Sequence, residues 1–256
     1  MLLMIASTEQ FARADAATED ALADSVAALV AQQDERVREA LSRIDGTGRR
    51  LLALRSYLRN HQDIEERWSW TQKQITAYEG SPEQRDLLQE IDRVRTAFAA
   101  SNPGFELYVN PRVRSLDIQI EHWNINKSVA TAADTLLASV LAFIASPGFP
   151  ATPLERAKAE LRRFLSEYTP VPTPTIAAPG LSRHGQMRDV DFQVHQDGRV
   201  AAGPNTATIA RDWDAGGWAA KLDAAVRAAS IRFTGPLASP REPWHYTYTP
   251  TAAAVQ

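Results

Sequence analysis

Apolar residues spaced like the turns of a helix dominate the first part of the chain, and that spacing gives way to strand-like alternation after a proline–glycine break. From about Asp20 to Ile44 the positions Leu22, Val26, Leu29, Val30, Val37, Leu41 and Ile44 make a narrow helical seam with charged flanks. Gly46 and Gly48 break it, and a second helical run carries Leu51, Leu54 and Leu58 toward Ile64. Two helices joined by a glycine turn predict an antiparallel hairpin, read as a packing or partner surface. A third helical region carries Trp68, Trp70, Ile75 and Tyr78. Ser81-Pro82-Glu83-Gln84 then has the chemistry of a helix start: Ser as N-cap, Pro in the first turn, Gln placed to reach back. Leu87, Leu88, Ile91, Val94 and Phe98 form the stripe of that helix, and Asn102-Pro103-Gly104 ends it.

Phe105 to Val109 alternates and is rich in strand formers, which predicts a strand. Val129, Ala133, Leu136, Leu137, Val140, Leu141 and Ile144 predict one strongly apolar helix. Thr152-Pro153-Leu154-Glu155 opens another, with Leu154, Leu161 and Leu165 on one face. Thr169 to Pro174 alternates proline with Thr and Val and can be neither helix nor central strand, so it reads as a stiff linker or as a loop beside a site. Asp189–Val194 is a second strand, Trp218–Ala229 a helix and His245–Tyr248 a third strand. The fold class expected is α+β: a helical N-terminal region over 1–100, then over 101–256 a small antiparallel-sheet domain flanked by helices.

Bulk properties exclude several classes of function. The net charge is −3, so there is no basic excess of the kind nucleic-acid binders carry. Cysteine is absent, which removes disulfides, thiolate zinc fingers and cysteine nucleophiles. Met1 to Ala6 is apolar but too short for a signal-peptide core and has no basic residue before it, so no signal peptide is expected. No stretch approaches the ~20 apolar residues of a membrane span, so no transmembrane segment is expected.

The chemistry concentrates in two stretches. In Ser182-Arg183-His184-Gly185-Gln186-Met187-Arg188-Asp189-Val190-Asp191, strand alternation puts Val190, Phe192 and Val194 on one face and Asp189, Asp191 and Gln193 on the other. His184, from the preceding loop, can meet Asp191 there, and an imidazole with a carboxylate is half of a metal site. In Pro240-Arg241-Glu242-Pro243-Trp244-His245-Tyr246, Pro243 excludes a regular helix and predicts a turn running into a strand. His245 can then supply a third ligand, with Glu242 beside the position left open for water. The bland alternative is a Pro-Trp turn packed on the core, carrying a surface histidine. His61, His122 and His195 fall in no motif, although His195 lies near enough to the strand end to line a cleft.

Taken together, these motifs resemble the D-alanyl-D-alanine carboxypeptidase family of zinc peptidases, which includes vancomycin-resistance D,D-carboxypeptidases, D,D-dipeptidases and phage L-alanyl-D-glutamate endopeptidases. The family pattern is Ser-x-His, six residues, Asp, then a later Glu-x-x-His, matched here by Ser182, His184, Asp191, Glu242 and His245. An upstream Arg-Ser-x-x-x-Gln signature is matched by Arg114, Ser115 and Gln119. The lead-in Ala178-Pro179-Gly180-Leu181 and the helix ending in Ile231-Arg232-Phe233 are also similar. The resemblance spans roughly the last 150 residues.

The resemblance implies Zn2+ as cofactor, held by His184, Asp191 and His245, with Glu242 as base and Arg114 stabilising an oxyanion. Ser182, Gln119 and Ser115 are implied to orient substrate. It further implies a peptidoglycan stem peptide as substrate and action in the bacterial cell envelope or periplasm, reached through a secretion system, phage lysis or a longer precursor. The N-terminal helices remain available for a protein partner. D,D-carboxypeptidase activity is expected first; the alternatives are an L-alanyl-D-glutamate endopeptidase and a non-catalytic zinc-bearing binding module. The chain departs from the pattern at Met187, where the family usually has Gly, and at Asp189, where it has Ala. Asp189 should share the strand face of Asp191 and add negative charge near the metal.

Overall fold

Helix capping and strand alternation set the element order of this computed structural model, which describes residues 22–150 and 154–250. The order is α1 (Leu22–Ala31), α2 (Glu35–Ser42), α3 (Thr47–Arg59), α4 (Ile64–Arg67), α5 (Gln72–Tyr78), α6 (Pro82–Ser101), β1 (Glu106–Val109), α7 (Leu116–Ile125), α8 (Lys127–Ile144) and α9 (Leu154–Glu167). Then come β2 (Asp189–Gln196), β3 (Arg199–Ala202), α10 (Trp218–Ala229), β4 (Phe233–Thr234) and β5 (His245–Tyr248). The class is α+β, a helical N-terminal region with a curled antiparallel sheet flanked by helices. Met1 to Ala6, Asp20 and the Thr152-Pro153 helix start lie outside the described residues.

The chain divides into two compact units. One comprises the chain up to Arg67 with Asp117–Leu181; the other comprises Trp68–Leu116 with the chain from Ser182 onward. This division does not follow a single cut near residue 100. The sheet unit is assembled from two stretches separated in sequence by much of the helical unit.

In the helical unit, the seam expected as one helix to Ile44 is two. The chain breaks after Ala31, and Asp34 caps α2 by accepting a bond from the Arg36 N–H. The expected hairpin is therefore three helices, α1 to α3. Gly46, at φ +72, is the N-cap of α3 and does break the chain, as expected. Gly48 does not: it lies inside α3, where a Cβ would stand 2.7 Å from the Ala133 carbonyl oxygen of α8. Glycine is there for backbone approach.

Asn126 caps α8, accepting bonds from the N–H groups of Ser128 and Val129. This helix buries Val129, Ala132, Ala133, Leu136, Val140 and Ile144. It is the one described helix long and apolar enough to cross a membrane, with a mean hydropathy of 1.4, and it amounts to no clear transmembrane segment. The proline-rich stretch after α9 is no free spacer. Arg55 donates to the Tyr168 carbonyl, Tyr57 to that of Pro179, and the Thr175 N–H to the Ser128 hydroxyl.

In the sheet unit, α6 starts as its sequence indicates: Ser81 accepts from the Gln84 N–H, and the Gln84 side chain reaches back to the Gly80 N–H. Leu88 and, in the helical unit, Leu154 were expected in buried stripes but are exposed. Trp68 and Trp70, expected in a helix, precede α5 in irregular chain, because Thr71 caps that helix in a reciprocal box with Gln74. The sheet runs β1-β2-β5-β4, with β3 also paired to β2 and every pairing antiparallel. Val190, Phe192 and Val194 of β2 enter one core with Tyr246 and Tyr248 of β5, Leu87, Ile91 and Phe98 of α6, and Leu222 and Val226 of α10.

The close approach at Gly48 gives a stability test. Gly48→Ala should lower unfolding free energy by about 1–3 kcal/mol through overpacking, although helix propensity alone favours Ala by about 1 kcal/mol. Gly148→Ala, where a Cβ meets nothing within 4 Å, should stay within about 0.5 kcal/mol of the parent. Urea denaturation measures both; a Gly48→Ala chain as stable as the parent contradicts the packing.

Candidate metal centre

Strand register brings the first two residues of the site together. β2 and β5 pair so that Asp191 stands opposite His245 and Asp189 opposite Thr247, while Val190 stands opposite Tyr246 on the other face. Directly opposed residues hold their Cβ atoms about 5 Å apart. Accordingly His245 Nδ1 lies 3.1 Å from Asp191 Oδ1. Burial of Tyr246 and Trp244 anchors this end of β5.

His184 comes from a short 3-10 turn, Arg183–Gln186, just before β2. Backbone bonds pin that turn within the unit: the Trp70 N–H donates to the Gly185 carbonyl, and the Arg114 N–H to that of His184. The Gln186 side chain donates to the Trp68 carbonyl. The tryptophan segment, expected as helix, is therefore a clamp on the turn that carries His184. Beyond it, Met187 takes φ +50, a left-handed conformation that costs a side-chain-bearing residue roughly 1–2 kcal/mol. His184 Nε2 lies 3.5 Å from Asp191 Oδ2, and its ring meets that of His245 edge-on at 5.1 Å.

One candidate ligand atom from each of His184, Asp191 and His245 lies within 4.8 Å of the others. Their side chains are only 13%, 16% and 13% exposed. Two imidazoles and a carboxylate, convergent and largely shielded, are a donor set that can hold a divalent metal with a position left open. Glu242 sits at its edge. Its backbone carbonyl accepts from the His245 N–H across the Pro243 turn, and its Oε2 lies 3.5 Å from His245 Nδ1.

Arg114 reaches the same cluster, with an Nη2 to Asp191 Oδ2 distance of 3.1 Å. Asp117, its nearest acid in sequence, pairs instead with Arg43. Ser182 and Ser115 flank the site residues in the chain, half-buried beside His184 and Arg114 in sequence. Gln119 belongs to the helical unit, where its buried side chain accepts from the Gly180 N–H. His195 lies farther along β2 and stacks on Tyr108 at 5.3 Å.

Asp189 stands closer to the cluster than its sequence position indicates. It shares the face of Asp191, as alternation requires, but it is buried, 3.2 Å from His245 Nε2, and accepts a bond from the Thr247 hydroxyl. The signal for this was the pairing of β2 with β5, which a single strand's alternation does not disclose.

The electrostatics follow from burial and carboxylates. Burial pushes His184 down to about 4, so it is neutral and ready to donate a lone pair. Burial also disfavours the His245 cation, but hydrogen bonds to Asp189 and Asp191 and their charges outweigh it and lift that group to about 9. Burial works against the Asp191 anion too, yet the His245 bond and the positive charge around it hold Asp191 down at about 2. Glu242 is raised, chiefly by burial and then by the neighbouring aspartates, against the pull of His245.

No family model, curated protein or solved structure matches the chain at a significant level.

Metal uptake should therefore release protons. Below about 9 the metal-free His245 carries a proton that must leave before its nitrogen can bind a cation. Calorimetry of Zn2+ binding near pH 7, in buffers of different ionisation enthalpy, should report about one proton released per metal, falling toward none above the His245 value. His184→Ala and Asp191→Ala should abolish uptake. Binding without proton release near neutrality contradicts this assignment of His245.

Proposed function

We propose that the chain is a zinc-dependent peptidase that hydrolyses peptidoglycan stem peptides, acting first as a D-alanyl-D-alanine carboxypeptidase. The observation that carries this reading is convergence. His184, Asp191, His245, Glu242 and Arg114 come from separated parts of the sequence, yet His184, His245 and Arg114 each approach the Asp191 carboxylate, and Glu242 approaches His245. A purely metal-binding module has no need of a carboxylate at Glu242 or a guanidinium at Arg114. Met187 adds support from the backbone: the position where the family usually carries Gly is one whose φ of +50 suits glycine.

The donor set of His184, Asp191 and His245 suits zinc, since neutral imidazole and carboxylate are ordinary ligands of catalytic sites that keep one position open. Zinc bound there supplies Lewis acidity toward a water and toward the peptide carbonyl. Glu242 takes a proton from the attacking water as its oxygen bonds to the carbonyl carbon. It returns a proton to the leaving amine as the C–N bond breaks. Burial of Glu242 raises its basicity, which favours taking up the water's proton. Arg114 presents a permanently charged planar fork to the oxygen that becomes negative. His184 and His245 hold their positions through the pinned turn and the β2–β5 register.

The same chemistry serves an endopeptidase cutting between L-Ala and D-Glu, so product masses distinguish the two. Digestion of purified muropeptides, followed by mass spectrometry, should show loss of a single D-Ala. Glu242→Gln should keep its zinc and lose turnover on the order of 10²–10⁴-fold. Arg114→Ala should also keep zinc while losing about 2.7–4 kcal/mol of transition-state stabilisation. A Glu242→Gln chain that holds zinc and retains full turnover overturns the assignment of the base. Cleavage of the stem instead of its terminus replaces the carboxypeptidase reading with the endopeptidase one.

A further inference from the structure

The His245 ring has a carboxylate at each nitrogen, and the two carboxylates are unlike. Nδ1 faces the open cluster, 3.1 Å from Asp191 Oδ1 and 3.5 Å from Glu242 Oε2. Nε2 faces away from those groups, 3.2 Å from Asp189 Oδ2. Asp189 has its own anchors: its Oδ1 accepts the Thr247 hydroxyl at 2.8 Å, and Arg183 Nε lies 3.8 Å from the same oxygen. The cross-strand pairing of Asp189 with Thr247, two residues from that of Asp191 with His245, fixes these contacts in the backbone.

We infer that Asp189 is the positioning residue of the metal centre: it holds the Nε2–H of His245 and so presents Nδ1 as the ligand nitrogen. The inference rests on the metal reading above and deepens it. An imidazole offers one lone pair when neutral, and whichever nitrogen keeps its proton cannot bind a cation. A buried carboxylate at Nε2 selects the tautomer, stops rotation of the ring and makes Nδ1 a stronger donor. Asp191 cannot do this, since it is needed as a ligand on the opposite side. An alanine at position 189 would leave Nε2 without this acceptor, so the departure from the family pattern bears directly on metal affinity.

Two measurements on the protein test the role. Long-range proton–nitrogen NMR of the zinc-loaded protein should give His245 a protonated Nε2 and a metal-bound Nδ1. Chelator competition with Zn2+ should show Asp189→Ala binding one zinc roughly 10–100-fold more weakly. Asp189→Asn, which keeps an acceptor for the Nε2–H, should recover part of that loss. Zinc on Nε2, or unchanged affinity in Asp189→Ala, overturns the role of Asp189 while leaving the metal centre standing. Should Asp189→Ala fail to fold, the wild-type spectrum still decides. A wild-type chain that takes up no zinc overturns the metal reading and this inference together.

Discussion

The candidate site depends on one cross-strand pair, Asp191 on β2 facing His245 on β5. Side chains alternate along a strand, so a slip of one residue would send both into the core and bring Val190 and Tyr246 out. The core forbids that slip. Phe192, Val194 and Tyr246 are fully buried on the opposite face, packed with residues of α6 and α10. The hydrophobic effect thus fixes the register, and the register fixes the polar cluster. His184 is added from a turn that needs its own clamp, supplied by backbone bonds from Trp70 and Arg114.

Burying charge is costly unless it is paired, and this cluster is paired throughout. Asp191 lies against His245, His184 and Arg114; Asp189 lies against His245 and Thr247. The carboxylates at both nitrogens of the His245 ring favour its protonated form, which raises its pKa. A divalent cation can replace that proton and leave the surrounding anions balanced. The same arrangement explains why His184 and His245 behave oppositely. One is governed by burial, the other by the carboxylates on both sides of its ring.

Much of this was readable from spacing. The Ser81 cap, the Trp218–Ala229 helix and the His245–Tyr248 strand stand where their residues indicated, because each is decided by local chemistry. The polar face of β2 followed from alternation alone. What was not legible depends on contacts distant in sequence. Trp68 and Trp70 lead into the helical spacing of Ile75 and Tyr78 but serve as a clamp on residues more than a hundred positions away. With only two residues β4 is too short to show a period, and β3, Arg199–Ala202, offers one β-branched residue and no alternation. Gly48 read as a breaker because its reason, the Ala133 carbonyl, lies on another helix. The interleaving of the two units likewise leaves no mark in composition. Asp189 was visible as a charge, but its partner nitrogen appears only when β5 is laid beside β2.

Everything proposed for the site requires His184, Asp191 and His245 to form a single metal centre. Anomalous diffraction from crystals grown with Zn2+, recorded on both sides of the zinc absorption edge, tests it most directly. One strong peak per chain is expected in contact with His184, Asp191 and His245. A map with no peak there, or with zinc held by other residues, would contradict it.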